Sequence, residues 1–322
     1  MSALLELRSL TVELPTAAGW VKPVNDVSLR IAAGETLGLV GESGSGKTML
    51  SLALMGLLPA GARVTGEARL ASQNGSAKSL AALSEEEWRA VRGREIAMIF
   101  QEPMTSLNPV MRVGAQIEEA ILAHEPKLGR EELHRRLLTA MQHAAMPEPE
   151  TRAQQYPHQL SGGLRQRAMI AMALAPAPKL LIADEPTTAL DVPVQKQILD
   201  LLDRLRHELQ LALLFITHDL AVVANVADRV AVMYAGRIVE EGPVPTVLTA
   251  PLHPYTQGLL NASPTLERRE LTPILGTVPQ LTELPPGCAF ATRCSYRRTE
   301  CEQRVPEFRY ADVTHGARCV LV

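Results

Sequence analysis

Eight residues constrain this chain more than any others: Gly41-Glu42-Ser43-Gly44-Ser45-Gly46-Lys47-Thr48. They match glycine, four variable residues, then Gly-Lys-Ser/Thr at every defined position. The apolar run Leu37–Val40 before them reads as a buried strand, and Met49–Met55 after them reads as a helix. That strand–loop–helix context is what a phosphate-binding loop requires. The glycines let the backbone curl until successive amides face phosphate oxygens, and the helix N-terminus adds partial positive charge. Lys47 is then placed for β- and γ-phosphates and Thr48 for Mg²⁺, so the chain is expected to bind a nucleoside triphosphate.

The length of 322 residues suits one large domain with an appendage. With 32 basic against 35 acidic side chains, the net charge of -3 argues against nucleic acid as a partner. No apolar run approaches the ~20 residues that span a bilayer. Met1–Glu6 lacks the basic segment and apolar stretch of a secretion signal, and a soluble cytosolic protein is expected.

Along the chain, Leu4–Val12 alternates imperfectly, as a strand at a sheet edge would, and Val27–Ile31 reads as a second strand. Gly19–Pro23 between them reads as a loop carrying Trp20, a ring able to stack on adenine or simply to fill a surface gap. Val64–Leu70 is a further strand, Ala71–Ala82 a polar loop and Glu85–Arg94 a helix. Ile96–Phe100 is a buried strand ending at Gln101. Its amide, at the carboxyl end of a sheet strand, is a candidate for Mg²⁺ or the attacking water, or else a strand cap.

Residues from about 103 to 178 read as a helical insertion, with helices at Val113–His124, Arg130–Ala144 and Gly163–Ala175. Ser161 is a good N-cap for the third, and Gly162 and Gly163 free amides there. Taken alone, the arrangement is equally an ordinary capped helix. Leu180–Ala183 delivers Asp184 and Glu185, one acid for Mg²⁺ and the next for deprotonating water. Asp191 closes a turn, and a helix from Pro193 should bury Val194, Ile198, Leu201, Leu202, Leu205 and Leu209. Leu211–Ile216 is a strand ending near His218, a γ-phosphate or structural histidine. Arg229–Tyr234 and Arg237–Glu241 read as a hairpin around Ala235-Gly236.

The four cysteines, Cys288, Cys294, Cys301 and Cys319, are separated by five, six and seventeen residues in a Pro- and Arg-rich, loop-like tail. A reducing cytosol disfavours disulfides. Four thiolates suit a metal centre, yet zinc sites usually use close Cys pairs, and the spacing matches neither common ferredoxin run. Zinc, an iron–sulfur cluster and unmetallated thiols all stay open on the residues alone.

GESGSGKT, Gln101, LSGGLRQR, LLIADE, TALD and Thr217-His218-Asp219 occur in the order found in ATP-binding subunits of ABC transporters. MIFQEPMTSLNP, YPHQLSGG, ITHDL, VMYAGRIVE and HPYTQ resemble the dipeptide/oligopeptide importer ATPases across nearly the whole chain. The resemblance implies an α/β fold: a P-loop NTPase core with a mixed sheet and an edge antiparallel β-subdomain, a helical subdomain at about 103–178, and a C-terminal extension. The ATPase domain would span 1–250 and the extension 251–322. It implies that Gly41–Thr48 wrap the phosphates, Gln101 senses Mg²⁺, and Asp184 serves Mg²⁺. Glu185 would be the general base and His218 would hold the γ-phosphate. Ser161, Gly162 and Gly163 would touch ATP held by the opposite subunit, and Asp191 would bridge the two subunits. Leu164, Arg165, Pro176 and Pro193 depart mildly from the pattern, and no position is assigned to Trp20. Implied cofactors are ATP, Mg²⁺ and a [4Fe–4S] cluster on the four cysteines. Implied partners are two transmembrane permeases, a second homologous ATPase and an extracytoplasmic substrate-binding protein, with this chain peripheral on the cytoplasmic face of the membrane. Peptides are the expected cargo. A nickel complex, glutathione or an opine is the alternative, and a soluble ABC-type ATPase acting on ribosomes or DNA a more distant one.

Overall fold

The computed structural model describes residues 3–71, 77–102, 106–188, 190–263 and 272–322. The start of the expected helical insertion, the middle of the 71–82 loop, Ala189 in the TALD turn and residues 264–271 of the extension lie outside them. The chain forms two compact units, Leu83–Leu214 and Ser2–Ala82 with Phe215–Val322.

The second unit begins with β1 (Ala3–Thr16), β2 (Gly19–Ala32), β3 (Thr36–Val40), α1 (Lys47–Leu54), β4 (Arg63–Ala71) and β5 (Ala77–Ser79). An antiparallel sheet has the order β2-β1-β4-β5, so β1 is an interior strand and not the expected edge. Its imperfect alternation has another cause: register shifts between Leu7 and Leu10, where Ser9 has φ 47. Such a bulge re-aims side chains, and Leu5, Leu7, Leu10 and Val12 all stay buried. Gly19–Pro23, expected as a loop, belongs to β2, with Trp20 opposite Pro15. The Arg63 guanidinium covers the Trp20 ring at 3.9 Å. The polar 71–82 segment likewise contains β5 and a 3₁₀ turn at Leu80–Ala82.

The unit Leu83–Leu214 holds α2 (Glu85–Val91), β6 (Ile96–Ile99), α3 (Val113–Leu122), α4 (Arg130–His143), α5 (Pro149–Ala153), α6 (Gly162–Leu174), β7 (Leu180–Asp184) and α7 (Val192–Leu209). β6 and β7 pair in parallel from Ile96↔Leu180 to Ile99↔Ala183, and all their residues are buried. Burial on both faces explains why these strands read as unbroken apolar runs. The three expected insertion helices are present, and α5 is additional. α7 buries Ile198, Leu201, Leu202 and Leu205, but Val194 is half-buried and Leu209 exposed. The stripe is one turn shorter at each end than its period suggested.

β8 (Ala212–Thr217) leads to α8 (Leu220–Val226), β9 (Arg229–Tyr234), β10 (Arg237–Pro243), α9 (Val244–Thr249), α10 (Pro254–Ala262), α11 (Glu300–Gln303), β11 (Arg309–Tyr310) and β12 (Gly316–Ala317). β3 pairs in parallel with β9, and β9 with β10 antiparallel. The β9–β10 turn has φ 45 at Ala235 and φ 84 at Gly236, the two positive values a two-residue hairpin turn needs. The extension is less loop-like than its composition suggested, because β12 adds to β10 and β11 to β12.

Glu240 of β10 ties the extension down. It is fully buried and accepts hydrogen bonds from the Leu252 and His253 amides at 2.8 Å each, and it contacts His315 Nε2 at 2.8 Å. Removing the carboxylate leaves two amides and an imidazole buried without it. Glu240→Ala is therefore expected to cost about 3–5 kcal/mol in urea unfolding. A cost below ~1 kcal/mol would show that the extension is held elsewhere.

Candidate functional site

The phosphate loop is shaped by close backbone approach. A Cβ on Gly41 would lie 2.2 Å from Met233 O, and one on Gly46 would lie 1.9 Å from Pro23 O. Gly46 also has φ 107, which L side chains rarely adopt. These two glycines are fixed by space as well as by conformation. Ser45 N donates to Glu42 O at 3.1 Å and Gly236 N to Ser45 O at 2.8 Å, closing the curl. Lys47 is buried at the start of α1, and its Nζ donates to Gly41 O at 2.8 Å and Glu42 O at 3.1 Å. Ser43, Gly44 and Thr48 are exposed. A glycine-formed cradle with an ammonium inside and a hydroxyl at its rim fits a triphosphate.

Two residues distant in sequence hold this loop. The Glu42 amide donates to Tyr255 Oη at 2.8 Å. Arg293 donates to both Glu42 carboxylate oxygens, at 2.6 and 3.0 Å. Neither was among the residues singled out from sequence, since 213 and 251 positions separate them from Glu42. The HPYTQ segment was noticed only as a family resemblance, and no pattern links Arg293 to the loop. His218 follows β8 in this same unit and is exposed.

In the other unit, Asp184 ends β7 and is 2% exposed. Glu185 follows with φ 47, a left-handed conformation unusual for glutamate and common at functional turns. Gln101 Nε2 donates to Glu185 Oε2 at 3.2 Å, and Thr188 Oγ1 donates to the same oxygen at 2.8 Å. The structure thus brings together Gln101 and Glu185, 84 residues apart. It adds Thr188, the first residue of the TALD run, to which the sequence assigned no role. Ser161 caps α6 by accepting from Leu164 N at 3.4 Å, and Gly162 is exposed at that helix start. Asp191 caps α7 by accepting from Val194 N at 3.0 Å. Each of the residues expected to serve Mg²⁺ carries an oxygen donor, the kind that ion takes: the Thr48 hydroxyl in one unit, and the Gln101 amide oxygen and the Asp184 carboxylate in the other.

The four cysteines line one small cavity with Phe290, and none is in a disulfide. Burial pushes the Cys288 thiol up to about 11 and raises Cys294 and Cys319 as well. Burial of this kind disfavours the thiolate at Cys288, Cys294 and Cys319, so these three are not poised nucleophiles. Soft donors gathered around one cavity suit an iron–sulfur or zinc centre in chemistry. Among the described residues, however, no three His, Cys, Asp or Glu side chains form a group that could hold a metal ion. The expected [4Fe–4S] cluster therefore has the right donors without a formed cage.

Comparison with known proteins agrees with this geometry. Residues 24–188 match the family model for ABC transporters, and residues 239–301 match that for the oligopeptide/dipeptide transporter C-terminal region. The oligopeptide transport ATP-binding protein OppD of Bacillus subtilis (strain 168) is 50% identical, over 100% of this chain and 90% of its own length. The dipeptide transport ATP-binding protein DppD of the same strain is 46% identical, over 100% of this chain and 95% of its own. Among solved structures, the ATP-binding cassette MJ0796, in a dimeric post-hydrolysis state bound to ADP and Pi, superposes with a TM-score of 0.65. It is 28% identical, covering 74% of this chain and 98% of that one. With the phosphate loop, the paired acids and both family segments accounted for, the chain belongs to the ATP-binding proteins of the ABC transporter family and groups with those of peptide transport.

Proposed function

We propose that this chain is the ATP-hydrolysing subunit that powers import of di- and oligopeptides through two membrane-embedded permeases. The observation that carries this reading is the pair of family matches, one over the ATPase core and one over the peptide-transporter C-terminal region, backed by relatives matched across the full chain. No helix among the described residues is long and apolar enough to cross a membrane, which suits a peripheral role beside such permeases. A second, homologous ATPase and an extracytoplasmic receptor complete the assembly in this reading. The proposed division is an ATPase domain at 1–250, with a helical subdomain at about 103–178, and an extension at 251–322.

The residues take the following roles. Gly41–Thr48 wrap the phosphates, with Lys47 toward the β- and γ-phosphates and His218 toward the γ-phosphate. Thr48, Gln101 and Asp184 hold Mg²⁺, which supplies charge neutralisation on the phosphates when bound. Glu185 takes the proton of the attacking water, its carboxylate oriented by Gln101 and Thr188. Ser161, Gly162 and Gly163 serve ATP bound to the opposite subunit, and Asp191 bridges the two. Each site is then split between subunits, so a lone chain hydrolyses slowly. ATP joins the halves, and its cleavage lets them part, a two-state change passed to the permeases. The four cysteines are proposed to hold an iron–sulfur cluster, supported by their donor chemistry and shared cavity.

Uptake of labelled dipeptides by vesicles containing the chain with its genomically neighbouring permeases and receptor tests the function. ATP-dependent uptake of a nickel complex, glutathione or an opine, but not of peptides, would redirect the cargo. Glu185→Gln is expected to lower turnover by about 10²–10⁴-fold while ATP binding and the closed dimer persist. Thr188→Val, which removes only an orienting hydroxyl, should lower turnover less and leave ATP binding unchanged. Wild-type turnover in Glu185→Gln would remove that residue from the base role. Anaerobically purified protein should show iron and visible thiolate–iron absorbance that is lost on replacing the cysteines. Colourless protein carrying zinc would reverse the assignment.

A further inference from the structure

Glu42 is one of the four variable positions of the phosphate loop, so phosphate binding does not itself ask for an acid there. A carboxylate next to a triphosphate site is electrostatically adverse, and more so where the loop is partly sheltered from solvent. This chain answers it with Arg293. The guanidinium forms a two-pronged pair with the Glu42 carboxylate, at 2.6 and 3.0 Å, and its side chain is 4% exposed. Its remaining donors reach Leu275 O at 3.0 Å, Ile274 O at 3.3 Å and Tyr234 Oη at 3.4 Å. An arginine so fully engaged is rigid, and the planar fork matches a carboxylate as no lysine would.

Arg293 is presented by the cysteine-bearing extension. It closes the 3₁₀ turn Ala291–Arg293 and directly precedes Cys294. Phe290, at the start of that turn, packs on Tyr234 at 5.3 Å and on Tyr255 at 5.4 Å between ring centroids. Tyr255 is the residue whose hydroxyl accepts from the Glu42 amide. One residue of the loop is therefore gripped twice, at its amide and at its carboxylate, by a cluster that the extension completes.

We infer that Arg293 is a positioning residue for nucleotide binding: it neutralises and orients Glu42, so that the cysteine-bearing extension sets the affinity of the phosphate loop for ATP. The inference rests on the reading of Gly41–Thr48 as the ATP site and adds a control on that site from the far end of the chain. Two effects follow. Loss of the guanidinium leaves an unpaired carboxylate beside the phosphates, and it frees the loop from the extension. The first effect is removed by also neutralising Glu42. The second is not.

The test is equilibrium titration of the full-length chain with Mg-ATP for the wild type, Arg293→Gln, Glu42→Gln and the double variant. Arg293→Gln should weaken binding about tenfold, equal to about 1.4 kcal/mol, with KM raised and kcat little changed in the assembled transporter. The loss should shrink on going from ~0.1 to ~1 M salt, where screening shortens from about 10 to 3 Å. The double variant should bind more tightly than Arg293→Gln alone, a rescue that simple misfolding of the extension would not produce. Arg293→Lys should fall between wild type and Arg293→Gln. If Arg293→Gln fails to fold, Arg293→Lys with and without Glu42→Gln carries the same comparison. Wild-type affinity in Arg293→Gln, or a double variant no tighter than Arg293→Gln, overturns the inference. Absence of ATP binding by the wild type would instead overturn the site on which it rests.

Discussion

Close packing of backbone against backbone at Gly41 and Gly46 is the constraint on which this structure turns. Met233 O and Pro23 O stand where side chains would begin, so the loop is held by its walls as well as by its own hydrogen bonds. Pro23 belongs to β2 and Met233 to β9. Both strands must therefore be in register before the loop takes its shape. The cradle is a tertiary object whose sequence signature is local.

The two acids proposed for hydrolysis follow a different logic. Asp184 and Glu185 are delivered by a buried strand, but Glu185 leaves it in a left-handed conformation that turns its carboxylate toward Gln101 and Thr188. Two hydrogen bonds, from Gln101 Nε2 and Thr188 Oγ1, converge on one carboxylate oxygen. A carboxylate held this way is oriented by its donors rather than by strand geometry alone, and the local backbone strain is offset by those contacts.

Glu240 and Arg293 together explain how a Pro- and Arg-rich tail becomes part of an ATPase. Glu240 joins Leu252 and His253, before the cysteine segment, and His315, within it, to one strand. Arg293 then reaches from that segment to the phosphate loop. Both interactions are charged groups removed from water with several partners each. Loss of one partner leaves the others buried without it.

Local pattern was enough to reveal the phosphate loop, the acid pair, the three insertion helices and the β9–β10 hairpin. Each depends on neighbours within a few residues: glycine spacing, apolar period, a cap or a turn pair. It failed where distant chain decides. Ser9 bulges in a strand paired on both sides, so a broken alternation resembled an edge strand. Gly19–Pro23 looked like a loop because glycine and proline punctuate it, yet pairing with β1 extends it. Thr188 was visible in its motif but had no role until the fold set its hydroxyl on Glu185. The amino-acid sequence by itself determined that this chain is a nucleoside-triphosphate-binding protein and where its phosphate loop lies, because phosphate recognition uses consecutive backbone amides. Only the tertiary structure decided what steadies those groups, because Tyr255, Arg293 and Gln101 reach their partners across stretches of chain that no local period encodes.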